Sequence, residues 1–267
     1  MKLSIIIVNY NGEKYLADCL DSIEKQCCDL LYEIIIWDNA SKDNSIEFLQ
    51  KNYSDKIKLF ASNDNLGFAG GNNAAAKHAK GDYLLLLNND TILLNPLKSI
   101  IDLMDRDSKI GVLGIKMLNG NKDYTISTGL LPKPYHLLYF KWFSIINKEF
   151  ATGNFLSNHP IEVGWLSGSF LVTPKKLWDD IGGLDESFFM YVEDVDYNKE
   201  AAKRGYKRVF APSLEYIHFV GFSGAKNNLL VKGYRIYIAK HFKGISKVIA
   251  NLCLSANEFV KKIKGNY

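Results

Sequence analysis

The chain has 267 residues, 47% hydrophobic and 23% charged, a balance that supports one large domain with appendages and excludes a disordered tail protein or a fibrous repeat. No apolar run approaches the roughly 18–20 residues of a membrane helix, and no leader with a small-residue cleavage site is evident, so the expected compartment is cytoplasmic. The formal charge of +4 hides an asymmetry: Lys226 to Tyr267 carries nine Lys or Arg against one acid, Glu258, a local +8, while the preceding residues carry 24 basic against 28 acidic groups, a net −4. A basic tail on an acidic body suggests an anionic surface as partner and gives no reason to invoke nucleic acid. Cys19, Cys27, Cys28 and Cys253 show no metal-ligand spacing and read as reduced packing residues.

In chain order, Ser4 to Val8 is a continuous apolar, β-branched run, and Leu16, Cys19, Leu20 and Ile23 then recur at helical spacing, which predicts a strand followed by a helix. The alternation continues with a strand at Glu33 to Trp37, a helix at Ser45 to Tyr53, a strand at Lys58 to Ala61, a helix at Gly71 to Ala79 and a strand at Tyr83 to Leu87. Such order predicts an α/β fold, a mostly parallel sheet with helices on both faces, whose ligands sit at the carboxyl ends of the strands. Polar clusters fall at those ends: Asn9-Tyr10-Asn11, Asp38-Asn39 and Asn88-Asn89-Asp90.

Further along, Gly111 to Met117 and Ser169 to Thr173 read as strands, Pro174 to Ile181 as a Pro-opened helix, and the aromatic stretch Asn119 to Pro160 as loops over a site. The tail predicts two amphipathic basic helices. One carries Leu230, Tyr234, Tyr237, Ile238 and His241 on one face; the other carries Ile245, Val248, Ile249, Leu252, Ala256, Phe259, Val260 and Ile263.

Several constellations could carry chemistry, and each has a plainer structural reading. Asp90 emerges from a buried strand, as a carboxylate for a hard cation would, yet Asn88-Asn89-Asp90 also suits a turn. Glu193-Asp194-Val195-Asp196 follows the aromatic run Phe188 to Tyr191; its acids could take a proton or could stabilise a helix start. His218 sits in an apolar strand-like context where core histidines are common, and as a ligand it needs a metal near Asp90. The glycine-rich stretch Asn65 to Asn73 opens a helix and suits close approach to a phosphate, but matches neither the dinucleotide fingerprint nor a P-loop. Trp165 could face a sugar ring or be buried.

Together, in order, Ser4 to Asn11, Trp37-Asp38-Asn39-Ala40-Ser41, Asn65 to Asn73, Leu87 to Asp90, Gly164 to Gly168, Phe188 to Asp196 and His218 resemble the family 2 glycosyltransferases of the GT-A fold, in their rhamnosyltransferase-like branch. The resemblance implies a GT-A domain over residues 1–224 with a basic helical extension at 225–267. It also implies an inverting transferase that moves a single sugar from a nucleotide-diphosphate donor, dTDP-rhamnose or a UDP-hexose, to a saccharide hydroxyl in cell-surface polysaccharide or lipopolysaccharide synthesis. By that resemblance Asp194 is the general base, with Glu193 beside it; Tyr10, Asn9, Asp38, Asn39, Gly70, Asn73 and Asn89 bind the nucleotide sugar. Asp90 and His218 hold a divalent cation, Mg²⁺ or Mn²⁺, while Trp165 and Gly168 belong to the acceptor site.

One departure is Asn88, which stands where an acidic metal motif often has its first carboxylate. A single carboxylate plus His218 lowers the expected metal affinity, so the ion is expected to bind mainly with the nucleotide diphosphate. The QxxRW signature of the processive branch is absent, in keeping with one addition per encounter. Lys240, Lys243, Lys247, Lys261, Lys262 and Lys264 would suit an anionic membrane surface near a lipid-linked acceptor; packing on the body or a homodimer are the other readings of the tail. Rivals for the whole chain are a sugar nucleotidyltransferase, which lacks a basic glycine-rich first loop here, and a non-catalytic glycan- or nucleotide-binding module.

Overall fold

A computed structural model describes residues 2–219 and 226–263. The expected boundary after residue 224, and Lys264, lie outside the described residues. The chain runs β1 (Leu3–Asn9), α1 (Glu13–Gln26), β2 (Tyr32–Asp38), α2 (Ser45–Tyr53), β3 (Ile57–Ala61), α3 (Gly67–Ala76), β4 (Tyr83–Leu87), β5 (Thr91–Leu93), α4 (Lys98–Arg106) and β6 (Ile110–Leu118). It continues with β7 (Tyr124–Thr125), β8 (Thr128–Gly129), a 3₁₀ turn (Pro134–Leu138), α5 (Lys141–Ser144), α6 (Lys148–Thr152), β9 (Ile161–Glu162), β10 (Trp165–Leu166), β11 (Phe170–Pro174), α7 (Lys175–Ile181), α8 (Glu193–Lys203), β12 (Lys207–His218), α9 (Lys226–His241) and α10 (Gly244–Ile263).

The main path of the large sheet has the order β3-β2-β1-β4-β11-β6-β12-β5. Neighbours β3-β2-β1-β4 and β6-β12 are parallel, while β11 and β5 run against theirs. Helices cover both faces. The α1 residues Leu16, Cys19, Leu20 and Ile23 pack with Ile5 and Ile7 on one side; Ala69, Ala75 and Ala76 of α3 pack with Ile6 and Ile35 on the other. Alternate residues of β1 therefore enter opposite cores, which is why that strand reads as an unbroken apolar run. Cys19 and Cys27 are buried there and free, whereas Cys28 is exposed, so the packing reading does not extend to it.

Three local differences from the sequence expectation have physical causes. Helix α3 begins at Gly67, four residues before the predicted start, because Gly67 adopts φ +72° and Asn65 Oδ1 accepts its N–H at 2.9 Å. The next donor, Phe68 N–H, is bonded to Phe189 O at 2.8 Å, a long-range contact that periodicity cannot report. Strand β12 is far longer than its His218 end suggests, since its register against β6 shifts between Ala211 and Glu215, around Pro212; an internal proline ordinarily argues against a strand. The stretch 119–160 is mostly loop, as expected, but holds β7, β8 and two short helices.

The two tail helices divide their roles. Helix α9 buries Val231, Tyr234, Tyr237 and Ile238 in a core with Phe188, Val192 and Val195 beside the predicted catalytic acids. Helix α10 turns only Ala250, Leu254 and Asn257 fully inward. Its predicted apolar stripe from Ile245 to Ile263 faces outward. Of the tail lysines, Lys240 pairs with Asp185 and Asp196, Lys261 donates to Asn227 and lies over the Phe140 ring, and Lys262 pairs with Glu258. No helix among the described residues is long and apolar enough to cross a membrane.

Candidate active site

The carboxyl ends of β1 and β2 lie side by side, with Asn9 opposite Asp38 in register. Both side chains are fully buried and locked together. Asn9 donates to Asp38 Oδ2 (2.8 Å) and accepts from Asn89 (2.7 Å), while Ser41 donates to Asp38 through its backbone N–H (2.8 Å) and its hydroxyl (2.7 Å). A carboxylate has about four acceptor sites; three of those of Asp38 are filled by the protein's own donors, so this buried carboxylate fixes the strand ends. Two non-glycine residues take left-handed conformations here, Asn11 (φ 52°) and Ala40 (φ 63°), a placement associated with functional loops.

Beside this, Asn39 donates to Gly67 O at 2.8 Å and ties the β2 end to the head of α3. A Cβ on Gly71 would stand 2.8 Å from Val8 Cγ1, and one on Gly70 would stand 2.9 Å from Leu66 Cβ, so both glycines are needed for this close approach. Tyr10 is 43% exposed at the rim, its ring open to a stacking partner. Asn73 is occupied otherwise: its amide donates to Leu184 O (2.7 Å) and Glu186 Oε1 (2.9 Å) and accepts from Leu184 N–H (2.9 Å). It holds the loop ahead of Glu193 and Asp194 in place.

At the end of β4, Asp90 and His218 come together although 128 positions separate them in SEQ numbering. Antiparallel pairing of β5 with β12 sets His218 opposite Thr91, and Phe219 N–H donates to Asp90 O at 3.0 Å. His218 Nε2 then lies 3.1 Å from Asp90 Oδ1 and 3.1 Å from Asn88 Nδ2. The two atoms face one another at hydrogen-bond distance, and a carboxylate oxygen with an imidazole nitrogen is a pair of donor types that Mg²⁺ or Mn²⁺ accepts. Among the described residues no group of three or more His, Cys, Asp or Glu forms a fuller cage, and the amide of Asn88 stands where another carboxylate would complete one.

Across the cleft, Asp194 opens α8. Its Oδ2 accepts from Gly168 N–H (3.0 Å) and its Oδ1 from Val195 N–H (2.8 Å), so the carboxylate is fixed in direction while remaining partly exposed. Burial pushes its acidity down, raising the pKa, and the two N–H donors pull it back. Glu193 differs. It is 5% exposed, its Oε2 has no hydrogen-bond partner, and burial, reinforced by the Asp194 charge, holds its pKa well above the ordinary range. Burial raises the pKa of both carboxyls, that of Glu193 the further, and the N–H donors of Gly168 and Val195 oppose the rise at Asp194. Both follow Tyr191 (φ 69°) and Val192 (φ 77°), a strained hairpin that aims them.

This asymmetry carries a stability consequence. A carboxyl whose pKa is raised by folding binds its proton more tightly in the native state, so its stabilising contribution is complete below 4.5, its ordinary value, and is lost as pH rises through the native pKa. Glu193→Gln stays neutral throughout. The variant is expected to lose less stability than wild type between pH 5 and pH 8, by on the order of 1 kcal/mol, or about 2–4 °C in Tm. Parallel thermal melts that fall equally with pH in both proteins would sink this reading of Glu193.

A sequence profile described as glycosyl transferase family 2 matches residues 4–168. The chain belongs to that family. Among similar proteins are the N-acetylglucosaminyl-diphospho-decaprenol L-rhamnosyltransferase of Mycobacterium tuberculosis, 23% identical with 84% of this chain and 78% of the relative covered, and the rhamnosyltransferase WbbL of Escherichia coli K12, 25% identical with 91% and 92% covered. Among solved structures, GalNAc-T7 with UDP, GalNAc and Mn²⁺ superposes with a TM-score of 0.69 at 16% identity, covering 90% of this chain; the chain spans about half, 48%, of that structure. The Staphylococcus aureus TarS fragment 1–349 in complex with UDP gives 0.60 at 20% identity, covering 96% and 70%. These likenesses establish the GT-A fold.

The family 2 profile ends at Gly168, the residue whose N–H holds Asp194, so the second half of the site rests on geometry. Gly168 also lies close under Phe68, a Cβ there standing 3.0 Å from the ring. Trp165 is partly buried against the Phe143 and Tyr234 core, and its indole N–H has no partner. Sequence reasoning gave no role to Ser41, the main support of Asp38, or to the Ser169–Tyr216 hydrogen bond (2.7 Å) in the floor. Tyr216 is buried, and burial raises its pKa, with the Asp90 and Asp194 charges adding to the rise. A hydroxyl in Asp38-Asn39-Ala40-Ser41, three residues after a buried acid, is the signal that could have identified Ser41.

Proposed function

We propose that the chain transfers one sugar from a nucleotide-diphosphate donor to a saccharide hydroxyl in a single displacement that inverts the anomeric centre. The observation that supports it most is Asp194, a carboxylate oriented by two backbone N–H groups across the cleft from the strand ends where a nucleotide would lie. In this reading Tyr10 stacks on the base, and buried Asp38 fixes Asn9 and Ser41 at the strand ends that face base or ribose. The backbone at Gly70 approaches the diphosphate, and Asn9, Asn39 and Asn89 hold that wall rigid. Asp194 removes the acceptor proton as its oxygen bonds to the anomeric carbon, while the nucleotide diphosphate departs from the opposite side. Trp165 and Gly168 line the acceptor side.

Asp90 and His218 fit a divalent cation held mainly by the diphosphate. Such an ion would supply neutralisation of the charge that grows on the leaving group. The rhamnosyltransferase relatives, covered nearly throughout, favour dTDP-rhamnose as donor and a lipid-linked saccharide as acceptor, in cell-surface polysaccharide synthesis.

Calorimetric titration of dTDP, UDP, GDP and a nucleoside triphosphate, each with and without Mn²⁺, tests the proposal. One diphosphate is expected to bind with a Kd lowered about tenfold or more by Mn²⁺, and Asp90→Ala should erase the difference. Mn²⁺ alone should bind weakly. Preference for the triphosphate would favour the nucleotidyltransferase, and no diphosphate binding would indicate a non-catalytic module.

A further inference from the structure

We propose that the outward face of α10 and the aromatic segment it docks on, residues 130–142, form one surface that lies on an anionic lipid bilayer. Helix α10 spans 20 residues, about 30 Å at the α-helical rise. Its outward stripe is continuously apolar, with Ile245 79%, Leu252 67%, Phe259 65% and Ile263 70% exposed. A helix that buries its opposite face in the protein and leaves such a stripe in water has the pattern of an element lying in the plane of a membrane interface.

An independent observation lies on the neighbouring segment. Asn257 of α10 donates to Leu138 O at 2.8 Å, and Leu137 shares a core with Ala250 and Leu254. On that docked segment Tyr135, Tyr139 and Trp142 are each about half exposed, at 51%, 48% and 49%. Amphipathic rings of this kind concentrate at the headgroup level of bilayers. The charge agrees: no acid occurs between Asp123 and Glu149, whereas Lys133, Lys141 and Lys148 do, and these three are exposed. On α10's side, Lys243 and Lys247 are exposed and form no ion pair among the described residues, unlike Lys240 and Lys262. The charges left free thus accompany the apolar stripe.

The same charges argue against a second copy of the chain as the occupant. A two-fold dimer through this face would bring the same excess of unpaired lysines from both protomers into one interface, like charge on both sides. An anionic leaflet satisfies both the apolar and the cationic parts. The proposal does not depend on which sugar is moved, and vesicle binding is read without transfer, so its failure is distinguishable from failure of the donor reading.

Co-sedimentation of the full chain with vesicles of phosphatidylcholine alone, and of phosphatidylcholine mixed with phosphatidylglycerol, tests it. Binding is expected to the mixed vesicles only and to weaken with salt. Leu252→Glu with Phe259→Glu, and separately Lys243→Ser with Lys247→Ser, should each lower it about tenfold or more. These positions are exposed, so the wild-type melting temperature should persist. A blue shift of indole fluorescence on the mixed vesicles should be smaller in Trp142→Phe. No binding to mixed vesicles, or binding that neither pair of substitutions alters, overturns the proposal. A dimer by light scattering that Leu252→Glu with Phe259→Glu dissociates, without vesicle binding by the wild type, assigns the face to a second copy and overturns it too.

Discussion

Replacing Asp194 by Asn is expected to leave nucleotide-diphosphate binding unchanged and to lower transfer about 10²–10⁴-fold, the usual contribution of a positioned general base. The side chain keeps its shape, and its amide oxygen can still accept from Gly168 N–H or Val195 N–H, so the cleft should not rearrange. What disappears is the carboxylate to which the proposed mechanism assigns the acceptor proton. Glu193→Gln is the matched control: Glu193 is buried, its Oε2 has no hydrogen-bond partner and burial holds its pKa up, which makes it the weaker base of the two, and its variant should retain most transfer. Single-turnover rates at saturating donor separate the two. If Glu193→Gln were the inactive variant and Asp194→Asn the active one, the roles assigned to the pair would be reversed.

The second large effect is expected far from the nucleotide. Gly233 lies on α9 against the strained hairpin, where a Cβ would stand 2.7 Å from Tyr191 O and 2.8 Å from Val192 Cγ2. Gly233→Val must push α9 away or flatten the hairpin. Overpacking of this kind costs about 1–3 kcal/mol, and a displacement of about 1 Å at the base can cost about 10²-fold in rate. The proposed donor wall is built on β1, β2 and α3, so affinity for the nucleotide diphosphate should be preserved. A fall in kcat with unchanged donor Kd and a melting temperature reduced by several degrees is the expected pattern. Equal loss of donor binding and rate would mean that the substitution unfolds the chain instead of misplacing Asp194.

The strand ends that form the proposed donor half were legible because their signals are local. A buried run ending in Asn9, a second ending in Asp38 and a third ending ahead of Asp90 are each read within a few residues, and parallel neighbours then align their ends without further information. The meeting of Asp90 with His218 was not legible from spacing; it follows from β5 pairing with a strand that passes a proline and a register shift. Resemblance named the two positions, and only topology shows how they meet. Asn73 marks a different limit. Its place in a glycine-rich stretch suggests a phosphate, yet its amide is engaged by Leu184 and Glu186, more than 100 positions onward. The tail was half legible: helical spacing identifies an apolar stripe on α10 but not whether protein or solvent lies against it, and for Ile245 to Ile263 it is solvent.

The hairpin at Tyr191 and Val192 has a consequence for how the molecule comes into being. The residues that back it, Val231, Gly233, Tyr234 and Ile238, follow the base in the chain and leave the ribosome after it. A nascent chain can therefore assemble the nucleotide wall while the base still lacks its backing. Lys240 and His241 then close on Asp196, at 2.7 and 2.6 Å, two residues after Asp194, and join α9 to α8. Competence to bind a donor and competence to use it would thus arrive at different moments of synthesis, the second fixed by the docking of α9.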